Sequence, residues 1–305
     1  MFIKKEIRQF IRNKELFLMT LPGVLFLLVF SYIPMGGTLI AFKDFNYVKG
    51  FWKSDWSGLK NFEFFFTSEY AFRVTRNTVL MNAAFISIGL VISVAFALML
   101  FELGKKETKI YQTIMFFPYF LSWVVVGYIG YAIFNPDLGA LNHILAIFNV
   151  KPILWYSEPK YWPVILILTN LWKGLGYGSI IYYTGLMGID STYYEAASID
   201  GATKFEQIRM ITLPLLTPLI TMLTLLQVGR IFYADFGLFY FLPKNSGMLK
   251  STTDVIDTFV FNSLRSNGDF GMAAAAGLYQ SLVGFILVIT ANAVVRKIDK
   301  DYAIF

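Results

Sequence analysis

The chain has 305 residues, of which 56% are hydrophobic and only 15% charged, with a net charge of +6; a soluble domain carries about 25% charged residues. The apolar residues gather into runs of bilayer-spanning length, about 20 residues each, so the composition implies an all-α polytopic membrane protein with no room for a soluble catalytic domain. Cysteine is absent and His143 is the single histidine, which excludes a disulfide framework, thiolate chemistry and a histidine-rich metal site.

Residues 1–15 place Phe2, Ile3, Ile7, Phe10 and Ile11 on one helical face and Lys4, Lys5, Arg8 and Arg12 on the other. This is a basic amphipathic helix suited to the membrane surface, or a positively charged flank before a first span; the pattern supports both. The first span covers about 16–42 and contains Pro22 and Pro34, so a kink is expected. It is too long for a secretory leader and shows no small-residue cleavage pattern. Residues 43–76 form an aromatic-rich loop with Trp52 and Trp56, where a short interfacial helix is expected.

Further spans are predicted at 77–101, 111–134 (with Pro118 inside), 162–187, 214–238 and 271–295. The apolar core 141–148 is too short to span and reads as a surface or re-entrant helix. Trp155 and Trp162 read as interface anchors, and His143 as structural. The sixth span opens on the small residues GMAAAAG, which favour close helix packing. No internal repeat is evident. The transmembrane domain therefore runs over 16–305.

Six spans put both termini on one side. The segments of that side, 1–15, 102–110, 190–213 and 296–305, hold 13 lysines and arginines, against 11 in the longer set 43–76, 135–161 and 243–270. The bias makes the first side cytoplasmic.

The polar interruption between the fourth and fifth spans, DSTYYEAASIDGATKFEQIRMITLP over 190–214, admits two capping boxes, Thr192 with Glu195 and Thr203 with Glu206. Asp200-Gly201 breaks the chain between them, Gly201 being free to take positive φ. Two short helices meeting at a glycine bend make a docking element, not a catalytic site.

Inside the spans, Lys173 lies about 16 Å into the fourth, near the midplane, where a charge signals function. Asn170, Trp172 and Tyr177 flank it. Gln227, Arg230, Tyr233 and Asp235 cluster toward the outer end of the fifth, and the sixth adds Tyr279 and Gln280. Rings and hydrogen-bonding side chains around a wet cavity suit a polyhydroxylated solute. Pairing of Lys173 and Arg230 with carbonyls or partner carboxylates is the competing reading. The sequence lacks GxxxxGK[ST], HExxH and GxSxG, so if the protein uses ATP a partner must supply the ATPase.

Residues 195–214 reproduce EAA-x3-G-x9-I-x-LP through Glu195, Ala196, Ala197, Gly201, Ile211, Leu213 and Pro214. The chain thereby resembles the membrane subunits of bacterial ABC importers. YIPMGGTLIAFKDFN (32–46), GLKNFEFFF (58–66) and TTDVIDTFVF (252–261) are similar to carbohydrate-uptake-1 type sugar permeases, most of all the oligosaccharide and polysaccharide subgroup. The resemblance implies a type I importer permease fold in the bacterial cytoplasmic membrane. It implies an oligosaccharide substrate, and a heterodimer with a second permease, two ATPase subunits carrying ATP and Mg, and a solute-binding lipoprotein. This chain itself would bind no cofactor. The 190–213 element, with Asp200 at its bend, would form the coupling helices that dock on the ATPase. The large outer insertion of maltose-type permeases is absent. An anionic sugar or non-sugar solute fits the same machinery; an ion-coupled transporter fits less well, because no acid lies deep in a span.

Overall fold

The computed structural model describes residues 12–298 and Ala303. The basic amphipathic helix expected at 1–15 falls almost wholly outside the described residues. Among these, five helices are long and apolar enough to cross a membrane: α1 (Lys14–Phe42), α4 (Glu69–Phe101), α8 (Pro159–Met187), α10 (Lys204–Val228) and α14 (Phe270–Ile298). A sixth crossing consists of two pieces, α5 (Lys105–Phe120) and α6 (Trp123–Phe134), bent by 95°. The remaining helices are short: α2 (Gly50–Lys53), α3 (Lys60–Thr67), α7 (Ala140–Ile147), α9 (Ser191–Ile199), α11 (Phe236–Phe241), α12 (Lys250–Thr253) and α13 (Ile256–Asn267).

Two of the long helices carry a π turn, Leu28–Tyr32 in α1 and Ile208–Thr212 in α10. Each ends two residues before a proline, Pro34 and Pro214. Proline clashes with the carbonyl four residues back and has no N–H to give it. One wider turn there relieves the clash without ending the helix, which is how the chain keeps proline inside a membrane segment.

The chain forms two compact units. The first takes residues 1–64 and 263–278. Beyond α1, in which Ala41 is buried, it holds a small hairpin of β1 (Lys43–Asp44) and β2 (Asp55–Trp56), paired Lys43 to Trp56 and Asp44 to Asp55. The Asn61 amide donates to the carbonyls of Ala41 and Lys43, both at 2.9 Å, and so ties α3 to the end of α1. In its most apolar stretch α1 buries none of its residues, so its apolar surface is left for lipid or another subunit.

The second unit takes 65–262 and 279–305 and is built on α4, about 50 Å long at 1.5 Å per residue, lying along α8. One core cluster gathers Met81, Val126, Trp155, Trp162, Leu166, Leu238, Phe239 and Leu249; another gathers Val94, Ala97, Tyr182, Leu186 and Leu216. The expectation that Trp155 and Trp162 anchor at the water interface is therefore corrected. Both are buried, and their indole N–H groups are used internally: Trp162 donates to the Trp155 carbonyl at 2.7 Å and Trp155 to Asn142 at 2.9 Å. That satisfied polar edge is what lets a tryptophan be core.

Two predicted spans differ from the observed helices. The third, 111–134, is a broken pair: Pro118 tightens the end of α5 into a 3-10 turn, Leu121 is extended, and Ser122 caps α6 by accepting from the Val125 N–H at 3.3 Å. The fifth, 214–238, leaves the helix after Val228, and α11 starts afresh at Phe236 with Asp235 as its N-cap. The second begins at Glu69, two turns before the predicted Asn77, because residues 69–76, which mix Glu69, Arg73 and Arg76 with the buried Ala71 and Val74, continue the helix beyond its most apolar run.

Close packing at α8 depends on Gly176. A Cβ there would sit 2.2 Å from the Met115 carbonyl oxygen and 2.6 Å from the Phe116 Cα, both backbone atoms with no rotamer to yield. Gly176→Val is expected to destabilise by about 1–3 kcal/mol or more through overpacking, seen as loss of monodisperse protein after detergent extraction; wild-type yield and melting would contradict this packing.

Candidate functional site

At one end of the second unit stands the 190–214 element. Asp190 is the N-cap of α9, its carboxylate accepting from the Thr192 N–H at 2.9 Å, and this bond holds the carboxyl below its ordinary range. The expected Thr192–Glu195 box is not formed. Asp190 takes the capping role, while Glu195 accepts from the Ser191 hydroxyl at 3.2 Å and stays exposed. Helix α9 ends in a Schellman motif: Ala202 N–H reaches the Ala197 carbonyl at 2.9 Å and Gly201 N–H the Ser198 carbonyl at 3.2 Å. Gly201 has φ +83, a conformation that side-chain-bearing residues rarely adopt, so glycine is required at that bend.

The second box does form. The Thr203 hydroxyl accepts from the Glu206 N–H, and Glu206 accepts from the Thr203 N–H at 2.7 Å. The expected separate short helix after it is corrected, however. Residues 204–228 form one helix through the π turn, so the second half of the element is roughly the first three turns of α10 itself. Tyr194 ties α9 to this helix through the Thr212 hydroxyl at 3.1 Å, and buried Gln207 donates to Ser198 at 3.0 Å. Lys204 pairs with Glu102 at the end of α4 at 3.0 Å. Ala196, Asp200, Gly201 and Pro214 face outward, Ala197, Ile211 and Leu213 are half-buried, and Tyr193, Ile199, Phe205 and Met210 add exposed apolar surface. The element is thus rigid, exposed and continuous with a membrane helix.

Further along α4, α8 and α10 lies a cavity of about 520 Å³. Of the residues singled out in the sequence, Asn170, Tyr177, Gln227, Arg230, Tyr233 and Asp235 line it, joined by Asn82 and Gly174. Trp172, Lys173, Tyr279 and Gln280 do not. Arg230, Tyr233 and Asp235 stand on the non-helical turn after α10, so helical phasing does not govern them. Among the described residues, the Arg230 guanidinium has no hydrogen-bond or ion-pair partner. Asp235 is committed elsewhere: it caps α11 through the Gly237 and Leu238 N–H groups and accepts from the Trp123 indole at 2.8 Å.

The turn is held by side chains. Asn82 donates to the carbonyls of Ile231 at 2.8 Å and Tyr233 at 3.1 Å. Gln280, buried, donates to the Phe232 carbonyl at 2.6 Å, and the Ala234 N–H is met by Asp257 at 2.8 Å. Burial pushes the Asp257 carboxyl up, while the bonds from Ala234 and Gln280 pull it down. Sequence reasoning misses Asn82, Trp123 and Asp257. Asn82 sits inside a long helix, and its use shows only once the broken turn is seen.

Lys173 serves the other break. Its ammonium donates to the Tyr119 carbonyl at 2.8 Å and lies 5.1 Å from the Trp123 ring centroid. A cation on the last carbonyls of a helix is favourable. This supports the carbonyl-pairing reading of Lys173, and Tyr119 stacks in turn on Tyr177 at 4.9 Å. Tyr279 stacks on Phe65 at 5.2 Å. Among the described residues, no group of His, Asp and Glu could hold a metal.

A polytopic helical permease with a rigid exposed loop and a polar intramembrane cavity is the class these features define. The chain belongs to the family described as "Binding-protein-dependent transport system inner membrane component", which matches residues 87–300. It is thus an ABC importer permease, a transport subunit and a membrane protein. It is 33% identical over 291 residues to Protein LplB of Bacillus subtilis (strain 168), covering 95% of this chain and 91% of that one. It is 31% identical to the polygalacturonan/rhamnogalacturonan transport system permease protein YteP of the same organism, covering 98% and 92%. A solved bacterial ABC transporter involved in the import of the acidic polysaccharide alginate superposes with a TM-score of 0.88 at 30% identity, over 97% of this chain and 99% of that chain.

Removing the Lys173 cation leaves the Tyr119 carbonyl unmet, at about 1–3 kcal/mol. Lys173→Met is therefore expected to lower the melting temperature of the purified protein by several degrees while Lys173→Arg lowers it less. Equal melting of Lys173→Met and wild type would remove this role.

Proposed function

We propose that this chain is one half of a permease pair that carries an oligosaccharide across the bacterial cytoplasmic membrane, with ATP and Mg on two ATPase subunits and the solute delivered by a binding lipoprotein. The names of the family and of the relatives support the partners and the substrate class. Both termini and the 190–213 element face the cytoplasm in this reading, as the lysine and arginine bias favours. The exposed, capped helix α9 docks on the ATPase. Because Tyr194 of α9 is bonded to Thr212 of α10, a push on α9 passes directly into the helix that ends at the cavity.

The observation that carries the substrate reading is the cavity: amides of Asn170 and Gln227, rings of Tyr177 and Tyr233, and a free guanidinium at Arg230. Amides and hydroxyls match sugar hydroxyls, and rings cover apolar sugar faces. The guanidinium favours a further reading, that the saccharide is acidic. Asp235, the nearest acid in sequence, is committed to a cap and an indole, so an unneutralised cation faces the lumen.

Gly201→Asp places a side chain at φ +83 and disrupts the bend. The assembled importer is then expected to lose most transport while the subunit still inserts and the ATPases still hydrolyse ATP; normal uptake by this variant would sink the docking claim. A charge-assisted bond is worth about 1.5–3 kcal/mol, so Arg230→Gln should cut uptake of a uronate oligosaccharide roughly tenfold or more and spare a neutral one. An equal effect on both solutes would argue against an acidic substrate.

A further inference from the structure

The turn 229–235 places Arg230 and Tyr233 on the cavity wall, yet nothing within the turn fixes the carbonyls of Ile231, Phe232 and Tyr233 or the N–H of Ala234. Asn82 takes two of these groups, Gln280 one and Asp257 one. Gln280 also donates to Asp257 at 3.3 Å, so the last two form one unit. The Tyr233 hydroxyl lies 2.7 Å from that of Ser281, next to Gln280.

Asp257 does not belong to a span. It stands in the first turn of α13, just after 251–256, and that stretch is itself bound to α4. The Asn77 amide donates to the carbonyls of Ser251 and Asp254, both at 3.1 Å. The Ile256 N–H donates to the Thr78 hydroxyl at 3.0 Å, and Tyr70 bonds to Asp254. Val255 and Ile256 are fully buried beneath these bonds. Thr78 and Asn82 are four residues apart, adjacent on one face of α4. One stretch of α4 therefore grips the segment before Asp257 and, one turn later, the turn that Asp257 also grips.

We infer that Asp257 is a positioning residue for the cavity: with Gln280 and Asn82 it clamps the 229–235 turn, so that segment 251–257, outside the membrane spans, sets where Arg230 and Tyr233 stand. The consequence for selectivity rests on the saccharide reading above. A displacement of 251–257 is transmitted through two short bonds, Asp257 to Ala234 and Gln280 to Phe232, into the guanidinium and phenol that face the solute. On the proposed topology this segment lies on the extracytoplasmic side, where solute arrives.

The absence of cysteine gives a clean test. Ile231→Cys is placed on the turn and, as a control, Leu223→Cys on the helical wall of the same cavity, each in the assembled importer in proteoliposomes. Labelling by a water-soluble maleimide is timed with and without Asp257→Ala, Asp257→Asn or Asn82→Ala. The clamp predicts at least fivefold faster labelling at position 231 in the two alanine variants, a smaller change in Asp257→Asn, which keeps an acceptor oxygen for Ala234, and an unchanged rate at 223. Unchanged rates at 231, or equal acceleration at 231 and 223, overturn the clamp. In the otherwise wild-type background, Asp257→Ala is further expected to reduce the uptake ratio of uronate over neutral oligosaccharide at least fivefold at equal membrane content. A preserved ratio limits the residue to fold and overturns the selectivity claim. If the wild type takes up no oligosaccharide at all, the functional reading fails by itself, and the labelling result still decides the clamp. Should Asp257→Ala not insert, Asn82→Ala carries the same comparison, because it acts on the same turn with Asp257 intact.

Discussion

The constraint on which the structure depends is the lack of water in the bilayer core. Any backbone group that leaves a helix there must find a protein partner, because an unmet one costs several kcal/mol. Among the described residues the chain breaks a long apolar helix twice, at 121–122 after the 3-10 turn 117–120 and at 229–235. Each departure is met by side chains from other helices: Lys173 at the Tyr119 carbonyl, and Asn82, Gln280 and Asp257 around the second turn. Trp123 connects the two, since it heads α6 after the first break, lies under the Lys173 ammonium and bonds to Asp235 at the second. The polar residues that look anomalous in an apolar chain are thus largely the partners of its broken backbone, and only the surplus faces the cavity.

This separates two kinds of intramembrane charge. Lys173 is half-buried and engaged with a carbonyl and two rings, so its charge is used to hold the fold. Arg230 is exposed to the cavity, and no described residue neutralises it. A cation retained without a counter-charge in such a place is costly unless a solute or water meets it. The π turns make the same economy with backbone alone. They keep Pro34 and Pro214 inside continuous helices, which in α10 means that the exposed first turn at Lys204 and the cavity residue Gln227 belong to one rigid rod.

Much of this was legible in the sequence. The long apolar runs gave the number of crossings, because bilayer thickness fixes helix length. The 195–214 spacing gave the family, and the Thr203–Glu206 box was readable because capping is local chemistry. The Asp190 cap was not, since two hydroxyls and a carboxylate compete for the same first turn and only geometry decides. The breaks were hidden for a different reason: hydropathy averages over a window, and the apolar neighbours of 117–122 and 229–235 mask Pro118 in the first and Arg230 and Asp235 in the second. Their partners were hidden too. Asn82 is far from Ile231 in the chain, and Trp155 and Trp162 read as interface residues until their N–H groups are seen to be satisfied inside the core.

The two breaks also bear on how, in the coupling proposed above, an exposed loop would act on a cavity in the same unit. A membrane helix unbroken from end to end would move as a rod and carry its whole wall with it. Here α10 is a rod only to Val228; the turn beyond keeps backbone bonds to its end, Arg230 N–H to the Gln227 carbonyl at 2.9 Å and Ile231 N–H to the Val228 carbonyl at 3.1 Å, and is fastened besides to α4 and to the segments bearing Gln280 and Asp257. At its other end the same rod is joined to α4 through Lys204 and Glu102, and to α9 through Tyr194 and Thr212. The turn that carries Arg230 and Tyr233 thus joins α10 to α4, and a tilt of one helix against the other would be taken up there. On the coupling proposed above, the state of the 190–213 element would reach Gln227 along α10 and the Arg230 turn through both helices, and a change in the shape of the cavity is what a solute site needs to bind in one state and release in the other.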